Sequence, residues 1–253
     1  MTRPRKHTPR RSRLRLAVGV TATLAAPLGH AAGAEGAEKA AHAAHVAHHD
    51  LDDLRVAGPR PALLALAEDA ADGYLAAHEV ARPHLLTIID YSLPSTAPRL
   101  WVLDRERRNV LFHRLVAHGQ GSGENYATRF SNREGSLQSS LGLFLTEESY
   151  VGRNGYSMRL RGLEPGINDR ARERTIVLHG APYARAEFVR QHGRLGRSWG
   201  CPAVEPEIAR ELIDLLRDGS LLFVYGNDDE WLRRSTYLLA RAGESGAAPA
   251  GAP

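Results

Sequence analysis

A single cysteine, Cys201, occurs in the 253 residues, so the chain cannot form an internal disulfide. No acidic residue precedes position 31, although seven cations do: Arg3, Arg5, Lys6, Arg10, Arg11, Arg13 and Arg15. Those seven exceed the whole chain's net charge of +4 and leave net −3 on the rest. A body of that charge has no general electrostatic reason to seek a polyanion, which excludes nucleic acid as a partner. No apolar run reaches the roughly 20 residues that a bilayer-crossing helix needs. The longest, Leu16 to Gly29, has fourteen residues. No internal repeat is present. At 43% hydrophobic and 25% charged residues, collagen-like, coiled-coil and wholly disordered chains are excluded. The length suffices for one full-sized domain with additional segments.

What the N-terminus does contain reads as an export signal over residues 1–31: a basic stretch, the fourteen-residue apolar run, then small residues at Gly29-His30-Ala31 and Ala32-Gly33-Ala34 where a signal peptidase would cut. Arg10-Arg11 resembles a twin-arginine signal, but Arg13 stands where that signal wants an apolar residue. No cysteine lies near the cut for lipid attachment. The expectation is a mature chain without a membrane span, delivered by the export machinery to the periplasm or cell envelope.

Residues 32–58 read as an Ala/His-rich linker. Its His42, His45, His48 and His49 lack a supporting carboxylate or cysteine motif, so no metal site is expected. A helix is expected within 59–83, with Leu63, Leu64, Leu66, Ala67, Tyr74 and Leu75 on its apolar side and Pro83 as its stop. The pattern then changes. Short apolar or alternating runs at Leu85–Tyr91, Leu100–Asp104, Val110–Ala117, Leu141–Leu145, Ser157–Leu163, Thr175–Leu178 and Leu221–Tyr225 predict strands. Arg107-Arg108-Asn109 predicts a hairpin turn, and Pro206–Arg217 a helix with Ile208, Leu212, Leu215 and Leu216 at helical spacing. The sum is a mainly β domain over 84–227 with helices at its margins, then a C-terminal helix and disordered tail over 228–253. Gly119-Gln-Gly-Ser-Gly123 lacks the GK[ST] ending of a phosphate loop and reads as a flexible turn.

An unpaired cysteine in an exported protein is either a reactive thiol, an intermolecular bridge or an inert buried group. A thiol needs a nearby imidazole to become a nucleophile at neutral pH. No histidine follows Cys201, and the last is His192. Papain-like and related cell-wall cysteine peptidases place their histidine after the cysteine, so that order excludes them. The base must come from upstream. His179 ends the apolar run Thr175-Ile-Val-Leu178, at the mouth of a strand; His192 lies in Gln191-His-Gly-Arg194. Cys201 closes Gly196-Arg-Ser-Trp-Gly-Cys201, where Gly200 permits a sharp turn and the N–H groups of Trp199 to Cys201 could face an oxyanion.

These residues resemble the catalytic signature of the YkuD-type L,D-transpeptidases: His179-Gly-Ala, a linking segment, and the Ser-X-Gly-Cys turn ending at Cys201. Ser140-Leu-Gly142-Leu-Phe144 is similar to that family's strand start. The murein L,D-transpeptidase catalytic domain branch resembles the chain further in Asn125-Tyr-Ala-Thr-Arg-Phe-Ser-Asn-Arg-Glu-Gly135, in Gly152-Arg-Asn-Gly-Tyr156 and in Arg190 to Pro202. The likeness spans about Leu85 to Tyr225. Trp199 departs from the histidine found in many relatives, and the 22 residues from His179 to Cys201 are a longer interval than usual, which keeps His192 as a second candidate histidine.

The resemblance implies a β-sandwich or barrel-like catalytic domain acting on peptidoglycan stem peptides, both donor and acceptor, with Cys201 as nucleophile and His179 as base. It implies 3–3 cross-links through a cysteine acyl-enzyme, without metal or organic cofactor. An L,D-carboxypeptidase using water, and a non-catalytic cell-wall-binding protein, are the alternatives. Asn125, Arg129, Ser131, Asn132 and Arg133 in a polar stretch, with Arg197 and Ser198 beside the nucleophile, are the candidate substrate-binding residues, arginine being suited to carboxylates.

Overall fold

A computed structural model describes residues 58–238 of the chain. The signal over 1–31, nearly all of the 32–58 linker with its histidines, and the final tail lie outside the described residues.

Helix α1 (Pro61–Leu75) opens the described chain, with Pro61 in its first turn, where the missing N–H costs nothing. Eight strands follow: β1 (Leu85–Asp90), β2 (Leu100–Asp104), β3 (Asn109–Arg114), β4 (Gly142–Gly152), β5 (Gly155–Gly162), β6 (Val177–Gly180), β7 (Ala203–Val204) and β8 (Leu221–Tyr225). Helices α2 (Ala186–His192) and α3 (Pro206–Leu216) interrupt them, and α4 (Asp229–Arg234) follows β8. The strands form one sheet in the order β3-β2-β1-β8-β4-β5-β6-β7. The pairs β1–β8 and β6–β7 are parallel and the rest antiparallel. A bridge between Ala117, just beyond β3, and Ala203 on β7 joins the two ends. The Ala117 N–H donates to Ala203 O at 2.8 Å and the reverse bond is 3.3 Å. The domain is therefore mainly β, its sheet nearly closed into a barrel, with few helices, as expected.

The core follows from the apolar runs. β1, β2 and β8 are buried along their whole length, as continuous Leu/Ile/Val/Phe segments require when both sheet faces are covered. The amphipathic α3 buries Ala209, Leu212, Ile213 and Leu216. Helix α1 buries Leu63, Ala67, Ala70, Ala71 and Tyr74 in the same cluster as the strands, so it is part of this core. A fully buried leucine such as Leu63 contributes about 1.5–3 kcal/mol. The helix stops before the proline expected to end it. The His78 ring Nδ1 takes the Tyr74 carbonyl at 3.0 Å, the acceptor that the His78 backbone N–H would have used in a continuing helix.

Several strands differ from expectation: β3 ends at Arg114, three residues early, β5 begins at Gly155, two residues early, and β7 was not expected. Thr175 has φ 55°, so the chain turns there and β6 begins two residues later, at Val177. β4 runs seven residues beyond Leu145 to form a long hairpin with β5, turning at Arg153-Asn154 with Gly155 at φ 74°. A register shift between Thr146 and Ser149 adds one residue to β4, a bulge that increases local twist. No helix among the described residues is long and apolar enough to cross a membrane.

Candidate active site

The barrel seam positions the cysteine and the histidine. His179 on β6 pairs with Ser157 of β5 on one side and with Ala203 of β7 on the other. Cys201 lies two residues before Ala203, at the end of a turn that the chain ties down from several directions. Ser198 Oγ donates to the Cys201 carbonyl at 2.6 Å and accepts the Gly200 N–H at 3.1 Å. The Ser198 N–H donates to His118 O at 2.9 Å, and Gln120 N–H donates to Ser198 O at 2.8 Å. Ser139 Oγ donates to Gly200 O at 3.0 Å. Gly200 has φ 124°, a conformation that only glycine adopts readily.

The 119–123 segment, expected as a flexible turn, is instead packed against this turn. A side chain at Gly119 would stand 2.7 Å from the Gly200 Cα and 2.4 Å from Leu137 O. The absence of side chains lets the two backbones touch. Beneath them lies a buried polar group. Arg99, fully buried, donates from Nη2 to His118 Nδ1 at 2.7 Å and to Val116 O at 2.9 Å. That fixes His118 with its proton on Nε2, facing Gly123 O at 3.4 Å.

Cys201 and His179 line one cavity of about 650 Å³, together with Tyr183, Arg174, Arg197 and Trp199. The thiol is 8% exposed. Its sulfur accepts the Val177 N–H at 3.5 Å and lies 3.7 Å from Thr175 O. Burial pushes the Cys201 thiol above its ordinary value, more than the Val177 N–H and the Arg174 charge pull it down. Burial likewise holds the His179 imidazole below its ordinary value, against the Gly180 carbonyl, which favours the charged ring. The resting pair at neutral pH is a thiol and a neutral imidazole. A carbonyl can only accept, so the 3.0 Å contact from His179 Nδ1 to Gly180 O places the proton on Nδ1. Nε2 is then the basic nitrogen. No hydrogen bond joins the imidazole to the sulfur.

The other expected site residues divide. The Gly200 N–H is engaged by Ser198 Oγ, while the N–H groups of Trp199 and Cys201 donate to no protein oxygen among the described residues. Ser198 is buried and engaged within the turn. Arg197 lines the cavity but donates to Gly123 O at 3.0 Å and Glu124 Oε1 at 2.6 Å. Trp199 is 69% exposed at the cavity lip. Asn125, Arg129, Asn132 and Arg133 are not brought to the cavity. Asn125 Oδ1 accepts from Ser95 Oγ at 2.9 Å, and Asn132 Nδ2 donates to Asp169 at 2.6 Å, both local braces. His192 ends α2, exposed and packed edge-on against Phe188, away from the cavity lining.

Sequence reasoning missed Tyr150, Arg153 and Asn154, which line the cavity from the far end of the β4–β5 hairpin. Asn154-Gly155 is a hairpin-turn signal that would have placed them on a turn. It also missed Tyr183, whose phenol burial pushes up, and Arg174. Among the described residues no cluster of three or more His, Cys, Asp or Glu is arranged to hold a metal.

A family model described as L,D-transpeptidase catalytic domain matches residues 62–225. Among solved structures, the chain is similar to an L,D-transpeptidase from Mycobacterium smegmatis, at 15% identity over 56% of this chain and 59% of that one, with a TM-score of 0.35. It is similar to an L,D-transpeptidase (Yku) from Stackebrandtia nassauensis, at 17% identity over 68% and 74% respectively, with a TM-score of 0.35. It is also similar to the helical cell shape determining protein Pgp2 from Campylobacter jejuni, at 12% identity over 57% and 48%, with a TM-score of 0.39. The chain thus spans less than two thirds of the first of these structures. No curated protein matches.

Proposed function

The chain belongs to the family of L,D-transpeptidase catalytic domains, and from that membership we propose that it is a peptidoglycan acyltransferase working through a thioester on Cys201. One observation carries the reading: the chain's only thiol and the β6 histidine line the same cavity at the seam of the sheet.

In this scheme Cys201 Sγ attacks the carbonyl of the third residue of a donor stem peptide while His179 Nε2 takes the thiol proton. A neutral pair suits this step, because the base is free and the proton moves as the carbon–sulfur bond forms. The N–H groups of Trp199 and Cys201, which donate to no protein oxygen, hold the oxygen of the tetrahedral intermediate. The carbon–nitrogen bond to the terminal D-alanine breaks, and the amine leaves with the proton from His179. An amine of a second stem then attacks the thioester and gives its proton to His179, which returns it to the departing sulfur. The product is a 3–3 cross-link. The basic, apolar N-terminal segment supports a place outside the cytoplasm for this chemistry.

The test is the intact mass of the purified chain after incubation with disaccharide-tetrapeptide, beside Cys201→Ala, with the products separated. A thioester adduct on the unsubstituted chain alone, with 3–3 dimer formed, is the expected outcome. Adduct with tripeptide only would make water the acceptor and the enzyme an L,D-carboxypeptidase. A folded protein giving neither adduct nor product would overturn the reading in favour of wall binding.

A further inference from the structure

Arg174 stands at the turn into β6, half-buried, and lines the cavity beside Cys201. A guanidinium removed from water is costly unless its donors and its charge are answered. The donors are. Nη1 reaches Ser131 O and Ser140 Oγ, each at 2.5 Å; Nη2 reaches Gln138 O at 2.6 Å and Ser136 Oγ at 3.2 Å. The charge is not. Each of those acceptors is neutral, and Arg174 forms no salt bridge among the described residues, unlike Arg197 on the same cavity and the nearby Arg194 and Arg170. Arg197 and Arg194 pair with Glu124, and Arg170 with Glu173.

The acceptors share a location. Gln138 O lies 2.8 Å from where a Gly200 side chain would begin, Arg174 Nη2 lies 3.5 Å from that point, and Ser139 Oγ holds the Gly200 carbonyl. One cation therefore gathers the 131–140 segment under the turn that ends in the nucleophile.

We propose that Arg174 is a positioning residue for Cys201, clamping the 131–140 segment beneath the 198–201 turn and supplying the fixed positive charge that stabilises the thiolate. This rests on the reading of Cys201 as the nucleophile. The electrostatics agree in direction, the Arg174 charge favouring the ionised sulfur. The other groups facing the sulfur do not supply that charge. His179 is held neutral, Tyr183 and Tyr91 are held protonated by burial, Arg197 is paired with Glu124, and Glu134 and Glu173 at the cavity rim carry the opposite sign. Arg153 is exposed at the hairpin turn, where solvent screens it.

The experiment follows alkylation of Cys201 by iodoacetamide against pH in the full chain, R174Q and R174K. In the R174Q variant the pH of half-limiting rate should rise by about one unit, making alkylation about tenfold slower below both midpoints, while the high-pH plateau stays within about twofold. R174K keeps the charge and should hold the midpoint near that of the unsubstituted chain. A role in packing alone would move the plateau and leave the midpoint unchanged in R174Q, which overturns the proposal. If R174Q does not fold, R174K decides: a midpoint raised by a full unit despite the retained charge overturns it as well. Iodoacetamide needs no peptidoglycan. A shifted midpoint in a protein inactive on stem peptides would therefore sustain the Arg174 role while ending the transpeptidase reading.

Discussion

Ser198 and Cys201 are locked together: the serine hydroxyl donates to the cysteine carbonyl at 2.6 Å while accepting the N–H of Gly200 at 3.1 Å. One side chain thus closes the turn from within and leaves the N–H groups on either side of Gly200 without a protein oxygen to donate to. Ser198→Ala strands a buried carbonyl and a buried N–H. It should cost about 1–3 kcal/mol by urea unfolding and lower the rate of acylation more than it weakens substrate binding. A variant with unchanged stability and acylation would show that the turn is held by its other ties alone.

Stability should fall as the pH drops below neutrality. His118 is pushed down to about 3, first by burial and then by the charge of Arg99, and His179 is held low by burial. Both rings bind protons more readily in the unfolded chain, where they titrate near 6.5, so the unfolded state gains protons that the folded state refuses. Their contribution is complete above pH 6.5 and is lost on acidification, down to about pH 3 for His118. In that window the loss for His118 approaches about 1.4 kcal/mol per pH unit, and His179 adds to it in the same direction. Urea unfolding at pH 7, 6 and 5 checks this. His118→Gln should be less stable at pH 7 but show a shallower slope, and equal slopes would contradict the assignment.

Trp199 presents its indole to solvent at 69% exposure from within the nucleophile turn. A large exposed aromatic at a cavity lip is suited to a ligand's apolar surface. Trp199→Ala should leave folding stability within about 0.5 kcal/mol and raise KM for stem peptide more than it lowers kcat. Steady-state kinetics with thermal unfolding separate the two effects.

The parts of this molecule that were legible in the sequence are those whose cause is local. Leu100–Asp104 and Leu221–Tyr225 read as strands because continuous apolar runs need cover on both faces, and they are strands over those same residues. Cys201 and His179 stood out in the sequence as the lone thiol on a glycine turn and a histidine at a strand mouth, and the fold brings the two to one cavity. What escaped depends on distant partners. The two-residue β7 has no pattern of its own and exists because His179 and Ala117 are its neighbours. Arg174 lies in the charged run Asp169-Arg-Ala-Arg-Glu-Arg174, and only the fold brings Ser131 to Ser140 around it. Asn125 and Asn132 looked free because their acceptors and donors, Ser95 and Asp169, are 30 and 37 residues away.

The bridge from Ala117 to Ala203 has a kinetic side. It joins residues 86 positions apart in the chain, whereas the β2–β3 and β4–β5 hairpins close over short loops. Long loops close late, since their entropy must be surrendered before the contact repays it. The nucleophile turn therefore takes shape after those hairpins, and its short seam, two backbone hydrogen bonds at one residue pair, is the first place the closed sheet can fray. Loss of catalytic competence on warming should precede loss of the fold, with amide exchange around residues 117 and 201–203 rising while β1 and β8 remain protected.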